Sequence, residues 1–316
     1  MRRRAIVPLL VVAALALTAC GDDDTTDVGA DASTTSSAPT AFPVTVTAAN
    51  GEITIDEQPS RIVSLSPTAT EMLFAIGAGD QVVAVDEFST FPPEAPITDL
   101  SGYQANVEAI AGYDPDLVVM QSDDIGDELA AIDVPLVVAP AAAVLDDSYE
   151  QLELLGLVTG HVDAARAVAD DMRAEIDELV ASVPDTDEPL TYYYELDTEY
   201  FSVTSSTFIG ALFSMAGFEN IADAADDGTS GGYPQLSVEY IVDADPDVIF
   251  LADTKCCNQT AETVADRAGW STMTAVRAGR IVELDDDIAS RWGPRVVDLL
   301  EQIVTATTAA TGADPY

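Results

Sequence analysis

Short apolar runs alternate with amphipathic stretches from residue 61 onward, and this pattern predicts strands alternating with helices. The predicted strands are 61–65, 81–85, 116–120, 135–138, 190–195, 200–203, 247–251 and 280–283. The predicted helices are 69–77, 106–112, 125–132, 147–158, 207–216, 238–243, 261–267 and 290–307. Such alternation is typical of an α/β fold, in which helices cover both faces of a parallel sheet.

One long helix is predicted between the two series, over residues 163–183, where apolar residues recur at helical spacing. Asp163 is a suitable N-cap and Pro184 follows the end. At about 1.5 Å per residue, such a helix is roughly 30 Å long and spans a small domain. The simplest architecture is two doubly wound lobes with parallel sheets joined by this helix. The predicted parts are a first lobe at 43–160, the connecting helix at 161–184 and a second lobe at 185–316.

An internal repeat supports two similar lobes. "VEAIAGYDPDLVVM" (107–120) matches "VEYIVDADPDVIFL" (238–251) in both its apolar and its acidic positions. The alternative is a generic helix–turn–strand unit in which Asp-Pro-Asp provides the turn. Before the first lobe, "VTVTAANGEITI" (44–55) predicts a hairpin around Asn50-Gly51 with a type I′ turn.

The N-terminus has the pattern of a signal peptide over residues 1–19, with three arginines before a short apolar stretch. It ends in Leu17-Thr18-Ala19-Cys20, which resembles the lipobox of bacterial lipoproteins and implies acylation of Cys20. The alternative is a plain signal peptide cleaved after Ala19. Residues 20–42 are small, polar and acidic, which is typical of a flexible tether. We therefore expect a lipid-anchored protein at the outer face of a bacterial cytoplasmic membrane.

The formal net charge is −44, from 56 acidic and 12 basic residues, so the surface repels nucleic acid. Two interpretations remain, namely cation capture and a general adaptation of the surface for solubility. The acidic residues are spread along the chain and are not grouped at metal-ligand spacing, which favours the second interpretation.

Several segments resemble the substrate-binding proteins of ABC importers for cobalamin, ferric siderophores and haem. They are "RIVSLSPTATEMLFAIGAGDQVVAV", "FPPEA", "LSGYQANVEAIAGYDPDLVV" and "GGYPQLSVEYIVDADPDVIFL", and the resemblance covers about residues 43 to 305. It implies two lobes facing each other across a cleft, capture of a chelate without chemistry, and delivery to a permease with ATPase subunits. It also implies a monomer, and the lipobox agrees with tethering in bacteria that lack an outer membrane.

Glu71 stands at the start of the first predicted helix of the first lobe. One interpretation is a capping box formed by Thr68 and Glu71. The resemblance implies another role, in which this glutamate docks onto a permease arginine. The corresponding stretch of the second lobe, "TSSTFIGA", carries no glutamate, which argues against symmetric docking.

Ligands of parallel α/β sheets bind beyond the C-terminal ends of the strands, so we expect contacts from the loops there. The predicted ligand-binding residues are Phe88, Tyr103, Tyr233, Arg291 and Trp292. Aromatic rings suit large flat chelates, and the resemblance implies aromatic contacts at Tyr103 and Tyr233. The alternatives are rings packed in the core, Phe91 among them, and arginines that neutralise the acidic residues 284–287. Arg291 and Arg295 favour an anionic siderophore or haem, whereas the acidic cleft favours cobalamin or a related corrinoid.

Cys256 and Cys257 are the only thiols apart from Cys20. A disulfide between adjacent residues and two reduced buried thiols are both possible, and an oxidising compartment favours the disulfide. A zinc site is not expected, because only His161 could join them. We expect neither a metal site nor a covalent cofactor, and no enzyme, since no nucleophile–histidine set or phosphate loop is present. The alternatives are a two-carboxylate hydrolase and a surface lipoprotein with a structural or adhesive role.

Overall fold

A computed structural model of the chain describes residues 41–312. The predicted signal peptide, Cys20 and nearly all of the predicted tether lie outside the described residues. Among residues 41–312, no helix is both long enough and apolar enough to cross a membrane.

The chain first forms a hairpin of β1 (Val44–Ala48) and β2 (Gly51–Ile55). Ala48 pairs with Gly51, so the two loop residues are Ala49 and Asn50. Of the loop and its flanks only Gly51 has a positive φ, at 109°, so the hairpin is confirmed but the type I′ turn is wrong.

The hairpin tip is attached to the sheet of the first lobe. The Asn50 side chain donates to the Leu136 carbonyl at 2.9 Å and accepts from the Val138 amide at 3.1 Å. These contacts occupy one exposed sheet edge, which would otherwise present unpaired backbone groups.

The first lobe contains a parallel sheet in the order β4–β3–β5–β6. Its strands are β3 (Ile62–Leu65), β4 (Val82–Val85), β5 (Leu117–Met120) and β6 (Leu136–Val138). Its helices are α1 (Pro67–Ala75), α2 (Val107–Ala111), α3 (Gly126–Ala130) and α4 (Leu145–Thr159). Every residue of β3 and β5 is buried, as expected for central strands with helices on both faces.

The connecting helix is α5 (Val162–Ala181), which packs against α4. Its N-cap residue is His161, so the expected cap at Asp163 is wrong, and Asp163 lies in the first turn instead. An N-cap without a side-chain hydrogen bond is tolerated because a carboxylate in the first turn still interacts favourably with the helix dipole.

The second lobe contains a parallel sheet in the order β8–β7–β9–β10. Its strands are β7 (Leu190–Glu195), β8 (Phe218–Asn220), β9 (Val248–Leu251) and β10 (Ile281–Glu283). Its longer helices are α6 (Phe208–Met215), α7 (Val238–Ala244) and α12 (Val296–Thr311). The shorter helices are α8 (Thr254–Cys257), α9 (Ala261–Ala265), α10 (Thr274–Ala278) and α11 (Asp286–Ala289).

The predicted strand at 200–203 is wrong, since that segment makes only an isolated bridge between Phe201 and Gln235. The strand at this place in the sheet is β8, which follows α6 and pairs with β7. Aromatic and β-branched residues at 200–203 satisfy the strand pattern, but they belong to a loop that leaves β7.

The two lobes repeat one another in strand order and in their turns. Asp114 and Asp245, the first acids of the Asp-Pro-Asp turns, have positive φ values of 50° and 46°. The second acid, Asp116 or Asp247, accepts backbone amides at the start of the neighbouring strand, from Arg61 at 2.9 Å and from Thr191 at 2.9 Å. The α/β fold with two parallel-sheet lobes is confirmed, while the lobe limits 43–160, 161–184 and 185–316 stay predictions.

A continuous apolar core joins α1 and α4 of the first lobe to α12 and the β7–β9 pair of the second. The helix α5 contributes Ala165, Ala169, Met172 and Ile176 to this core and also packs against α12. The lobes are therefore linked by packing as well as by the chain, which limits how far one can move against the other.

Candidate functional site

Two exposed aromatic rings stand at the C-terminal edge of the first sheet. Phe88 is 50% exposed and Tyr103 is 84% exposed. Their ring centroids are 5.8 Å apart in an edge-to-face arrangement. Large apolar rings are normally buried, so this pair is a surface on which a flat ligand can pack.

The second lobe presents Tyr233, which is 45% exposed, on a loop that contains Gly231 and Gly232. Both glycines have positive φ, and a Cβ at Gly232 would lie 2.7 Å from the Thr207 side chain. Glycine is therefore required there for the loop to pass close to the start of α6 and present the tyrosine.

Phe201 is an additional candidate that sequence reasoning missed. It is 37% exposed and forms a bridge with Gln235, two residues after Tyr233. The assignment of 200–203 to a strand concealed it. A better signal was its place in a loop directly after β7, which is a central strand.

Asp86 lies beneath the aromatic pair, immediately after β4. It is 3% exposed and accepts a hydrogen bond from the Ser89 hydroxyl. Burial raises the pKa of Asp86, since the charged form loses hydration. Thr70 contacts Ser89 at 2.9 Å between hydroxyl oxygens, which connects Asp86 to α1.

Arg291 of the second lobe reaches the first lobe beside Phe88. Its Nη1 donates to Glu71 Oε1 at 2.6 Å, and its Nη2 donates to the Phe88 carbonyl at 2.9 Å and to Asp287 Oδ1 at 3.1 Å. The side chain is 8% exposed. Its contact with a ligand stays a prediction, but its main bonds are made within the chain.

Arg295 makes a second connection to Glu71. Its Nε donates to Glu71 Oε2 at 2.9 Å, and its Nη2 also bonds Oε1. The guanidinium lies 4.1 Å from the centroid of the Phe91 ring, within the range of a cation–π contact. We call Glu71, Asp287, Arg291 and Arg295 the interlobe brace.

The position of Glu71 bears on two expectations. Its carboxylate is buried and already has cationic partners within the chain, while docking of this residue onto a permease arginine stays a prediction. The capping box is wrong, because the N-cap of α1 is Ser66, whose hydroxyl accepts from the Ala69 amide at 3.3 Å. Glu71 follows one turn later, on the face of α1 that meets the second lobe.

Trp292 is likewise placed in the core and not in an open cleft. It is 8% exposed, and its Nε1 donates to Gln151 Oε1 on α4 at 2.9 Å. The ring is largely covered by protein, and its contact with a ligand stays a prediction. The indole instead fastens the second lobe to the first next to the brace.

The structure joins Cys256 and Cys257 in a disulfide on α8, with the Cα atoms 3.8 Å apart. The helix is held by Asp286, which accepts the backbone amides of Thr254, Lys255 and Cys256 at 2.8–2.9 Å. Lys255 also pairs with Asp285 at 2.5 Å and Asp287 at 2.8 Å, which connects α8 to the brace.

A second buried charge cluster lies at the ends of β7 and β9. Glu195 and Asp253 are both fully buried, and Glu195 accepts two hydrogen bonds of 2.6 Å from Arg267. Neither carboxyl oxygen of Asp253 has a protein partner among the described residues. Burial raises the pKa of Asp253 to about 7, and the neighbouring charge of Glu195 acts in the same direction.

Within residues 41–312, no group of three or more histidine, cysteine, aspartate or glutamate side chains is arranged to hold a metal ion. The exposed side chains at the two sheet edges include the rings of Phe88 and Tyr103 in the first lobe and of Phe201 and Tyr233 in the second. Their chemistry is that of non-covalent recognition.

Comparison with known proteins agrees with this architecture. Residues 62–288 match the family model described as periplasmic binding protein. The chain is 35% identical over 279 residues to a cobalamin-binding protein of Halobacterium salinarum, covering 84% of this chain and 74% of the relative. It is 30% identical over 317 residues to the uncharacterized ABC transporter substrate-binding lipoprotein YvrC of Bacillus subtilis, covering 96% of both chains.

The same fold occurs in the crystal structure of the periplasmic vitamin B12-binding protein BtuF of Vibrio cholerae. The TM-score is 0.67 at 27% sequence identity, over 80% of this chain and 98% of that chain. Members of the family are binding proteins, and the matched region contains both sheets together with the exposed aromatic residues. The chain therefore belongs to the periplasmic binding protein family.

Proposed function

We propose that this protein is the extracytoplasmic substrate-binding component of an ABC importer and that it captures a cobalamin or related corrinoid between its lobes. The observation that carries this proposal is the set of exposed aromatic side chains at the C-terminal sheet edges. Phe88 and Tyr103 come from the first lobe, and Phe201 and Tyr233 come from the second. The names of the relatives from Halobacterium salinarum and Vibrio cholerae support a corrinoid ligand.

The charges near these rings favour an uncharged chelate over an anionic one. Arg291 and Arg295 share Glu71, and Arg291 also pairs with Asp287, so two carboxylates compensate the two positive charges within the chain. Asp86 and the acids at 285–287 lie close by. A polycarboxylate siderophore or a haem would bring further negative charge to this region, whereas cyanocobalamin is neutral and rich in amides.

We propose that two exposed glutamates, and not the buried Glu71, dock onto the permease. Glu108 and Glu239 occupy matching places in the internal repeat, at the second position of α2 and of α7, and both are exposed. Carboxylates at the starts of two equivalent helices give one contact for each lobe. We propose that they bind basic residues of the permease.

The protein works outside the cytoplasm, attached through Cys20, as the lipoprotein name of the Bacillus subtilis relative supports. We propose that it has no catalytic activity of its own. During transport the lobes close slightly on the ligand, and ATP hydrolysis by the partner subunits drives release of the ligand.

The direct test is binding of cyanocobalamin, haem and ferric siderophores to the purified mature protein, followed by calorimetry and absorption spectra. We expect cyanocobalamin to bind in a one-to-one complex and to bind more tightly than the anionic chelates. Tighter binding of a ferric siderophore or haem would contradict the corrinoid assignment.

Tyr103→Ala tests the aromatic contact. Loss of the ring should weaken ligand binding by about 1 kcal/mol or more, that is roughly fivefold or more in affinity, because flat macrocycles pack on aromatic faces. The matched control is Ile132→Ala, since Ile132 is 45% exposed in the same lobe but precedes β6 at the opposite end of the sheet. Equal affinities for the two variants would remove Tyr103 from the contact set.

A further inference from the structure

We infer that Glu71 determines the charge selectivity of the cleft, by holding Arg291 and Arg295 in compensated pairs that an anionic ligand cannot use. The inference rests on the proposed function, since it concerns which chelates the same site accepts. Glu71 acts through the two arginines and is a positioning residue.

All three hydrogen bonds that the Glu71 carboxylate accepts come from the two guanidinium groups. Oε1 accepts from Arg291 at 2.6 Å and also from Arg295, while Oε2 accepts from Arg295 at 2.9 Å. The carboxylate is 3% exposed, so water does not compete for it. Charge-assisted bonds of this kind are among the strongest in proteins.

The charges within the brace sum to zero. The negative charges of Glu71 and Asp287 equal the positive charges of Arg291 and Arg295. Lys255 also contacts Asp287, and its positive charge is balanced by Asp285. Removal of one buried carboxylate leaves an uncompensated positive charge. In a region screened little by water, such a charge acts strongly on a nearby anion.

The arginines are close enough to the exposed rings for this charge to matter. Arg291 Nη2 binds the backbone carbonyl of Phe88, whose ring is half exposed beside Tyr103. Arg295 lies against Phe91, which is 39% exposed. A ligand packed on the Phe88–Tyr103 pair would therefore lie near the charges of the brace.

The test compares Glu71→Gln with wild type for binding of haem, which carries two carboxylates, and of cyanocobalamin, which is neutral. We expect Glu71→Gln to bind haem about tenfold more tightly at low salt, with the gain reduced at high salt. Cyanocobalamin affinity should change less than haem affinity. Glu71→Asp, which keeps the charge, should retain the wild-type selectivity.

A second substitution restores the charge balance. In Glu71→Gln/Arg295→Gln, one positive charge is removed with the negative one, and the gain for haem should disappear. A gain that persists in this double variant, or haem affinity that is unchanged in Glu71→Gln, would overturn the inference.

Asp287→Asn keeps the test decisive if Glu71→Gln does not fold. The Asp287 side chain is 37% exposed, so its loss leaves the buried Glu71 pairs intact while adding one net positive charge. We expect a smaller, salt-sensitive gain for haem, and no gain would count against the inference. The two proposals fail separately, because failure of wild type to bind any corrinoid ends the proposed function, whereas the change in haem affinity of the variants tests only the charge balance of the brace.

Discussion

At the scale of single residues, the buried carboxylates differ in how their charge is neutralised. Glu71 and Glu195 are both almost fully buried, and each is neutralised by arginine. Asp253 differs, because it has no basic partner of its own and lies beside the negatively charged Glu195. Such a group is most stable as the neutral acid, which makes it sensitive to pH.

Asp253→Asn should remove a pH dependence of stability. The pKa of Asp253 is about 7 in the folded protein and about 3.9 when unfolded, so the native state binds more protons between these values. The free energy of unfolding contributed by this group therefore falls as pH rises from about 4 to 7, by about 2–4 kcal/mol. Tyr193, Arg267 and Asp286 interact electrostatically with the Asp253 carboxyl. All three remain in the variant, so the difference between the two proteins reports the Asp253 carboxyl.

The measurement is denaturant unfolding at several pH values between 4 and 8. Wild type and Asp253→Asn should be similar near pH 4, and the variant should be the more stable near pH 8. The control is Asp185→Asn, which alters an exposed acid. A constant difference between Asp253→Asn and wild type across this range would show that Asp253 is ionised throughout.

Sequence reasoning at this scale placed Phe88, Tyr103 and Tyr233 in loops beyond the strands, where the structure leaves them exposed, but it did not predict the buried contacts of Trp292 and Glu71. Loop residues can be assigned to a sheet edge from the strand that precedes them. The partners of Glu71 lie 220 and 224 residues away along the chain, so no local pattern predicts them. The same holds for Trp292, whose hydrogen bond to Gln151 depends on how the lobes pack.

At the scale of elements, the molecule is one α/β unit used twice. Both sheets place the first strand of the lobe beside the second and third, with matching Asp-Pro-Asp turns. The sequence predicted these elements well, because buried parallel strands are continuous apolar runs. It failed at β8, which has only three residues and carries Glu219 and Asn220.

The repeat predicts unequal costs for two equivalent substitutions. Asp247→Ala removes the acceptor of the Thr191 amide and hydroxyl, at 2.9 and 3.0 Å, and should destabilise the fold by about 1–3 kcal/mol. Asp116→Ala should cost less, because Asp116 is exposed and water can replace it at the amides of Ser60 and Arg61.

Chemical unfolding of both variants checks the order, with Asp243→Ala on α7 as an exposed control. Equal losses of stability for Asp116→Ala and Asp247→Ala would mean that the cost does not depend on how far the aspartate is buried. Wild-type stability of Asp247→Ala would contradict its role in fixing β7.

At the scale of the whole molecule, one core and one brace join the lobes. The core passes through α5, and the brace together with the Trp292–Gln151 hydrogen bond adds polar contacts between them. Small closure movements are therefore expected, since large ones would break buried charge pairs. The sequence indicated the joining helix but gave no sign that the lobes share a core.

Docking is also a property of the whole molecule, because it needs both lobes at a fixed separation. Glu108→Arg and Glu239→Arg should each reduce uptake in reconstituted vesicles containing the permease and ATPase by at least about tenfold, through like-charge repulsion. Ligand affinity should stay at the wild-type value. Glu178→Arg, on the exposed face of α5, is the matched charge reversal.

Uptake at the wild-type rate by both reversed variants would rule out these two positions as contacts. Loss of uptake in Glu178→Arg as well would point to a general effect of net charge, which is −44 for the chain.

The hairpin β1–β2 has a mechanical consequence. Its open end holds Val44 beside Ile55, and its far end is fastened to β6 through Asn50. A pull on the N-terminus would load these cross-strand bonds one after another, beginning at Val44, as in a zipper. The hairpin should therefore open before the strain reaches the sheet of the first lobe.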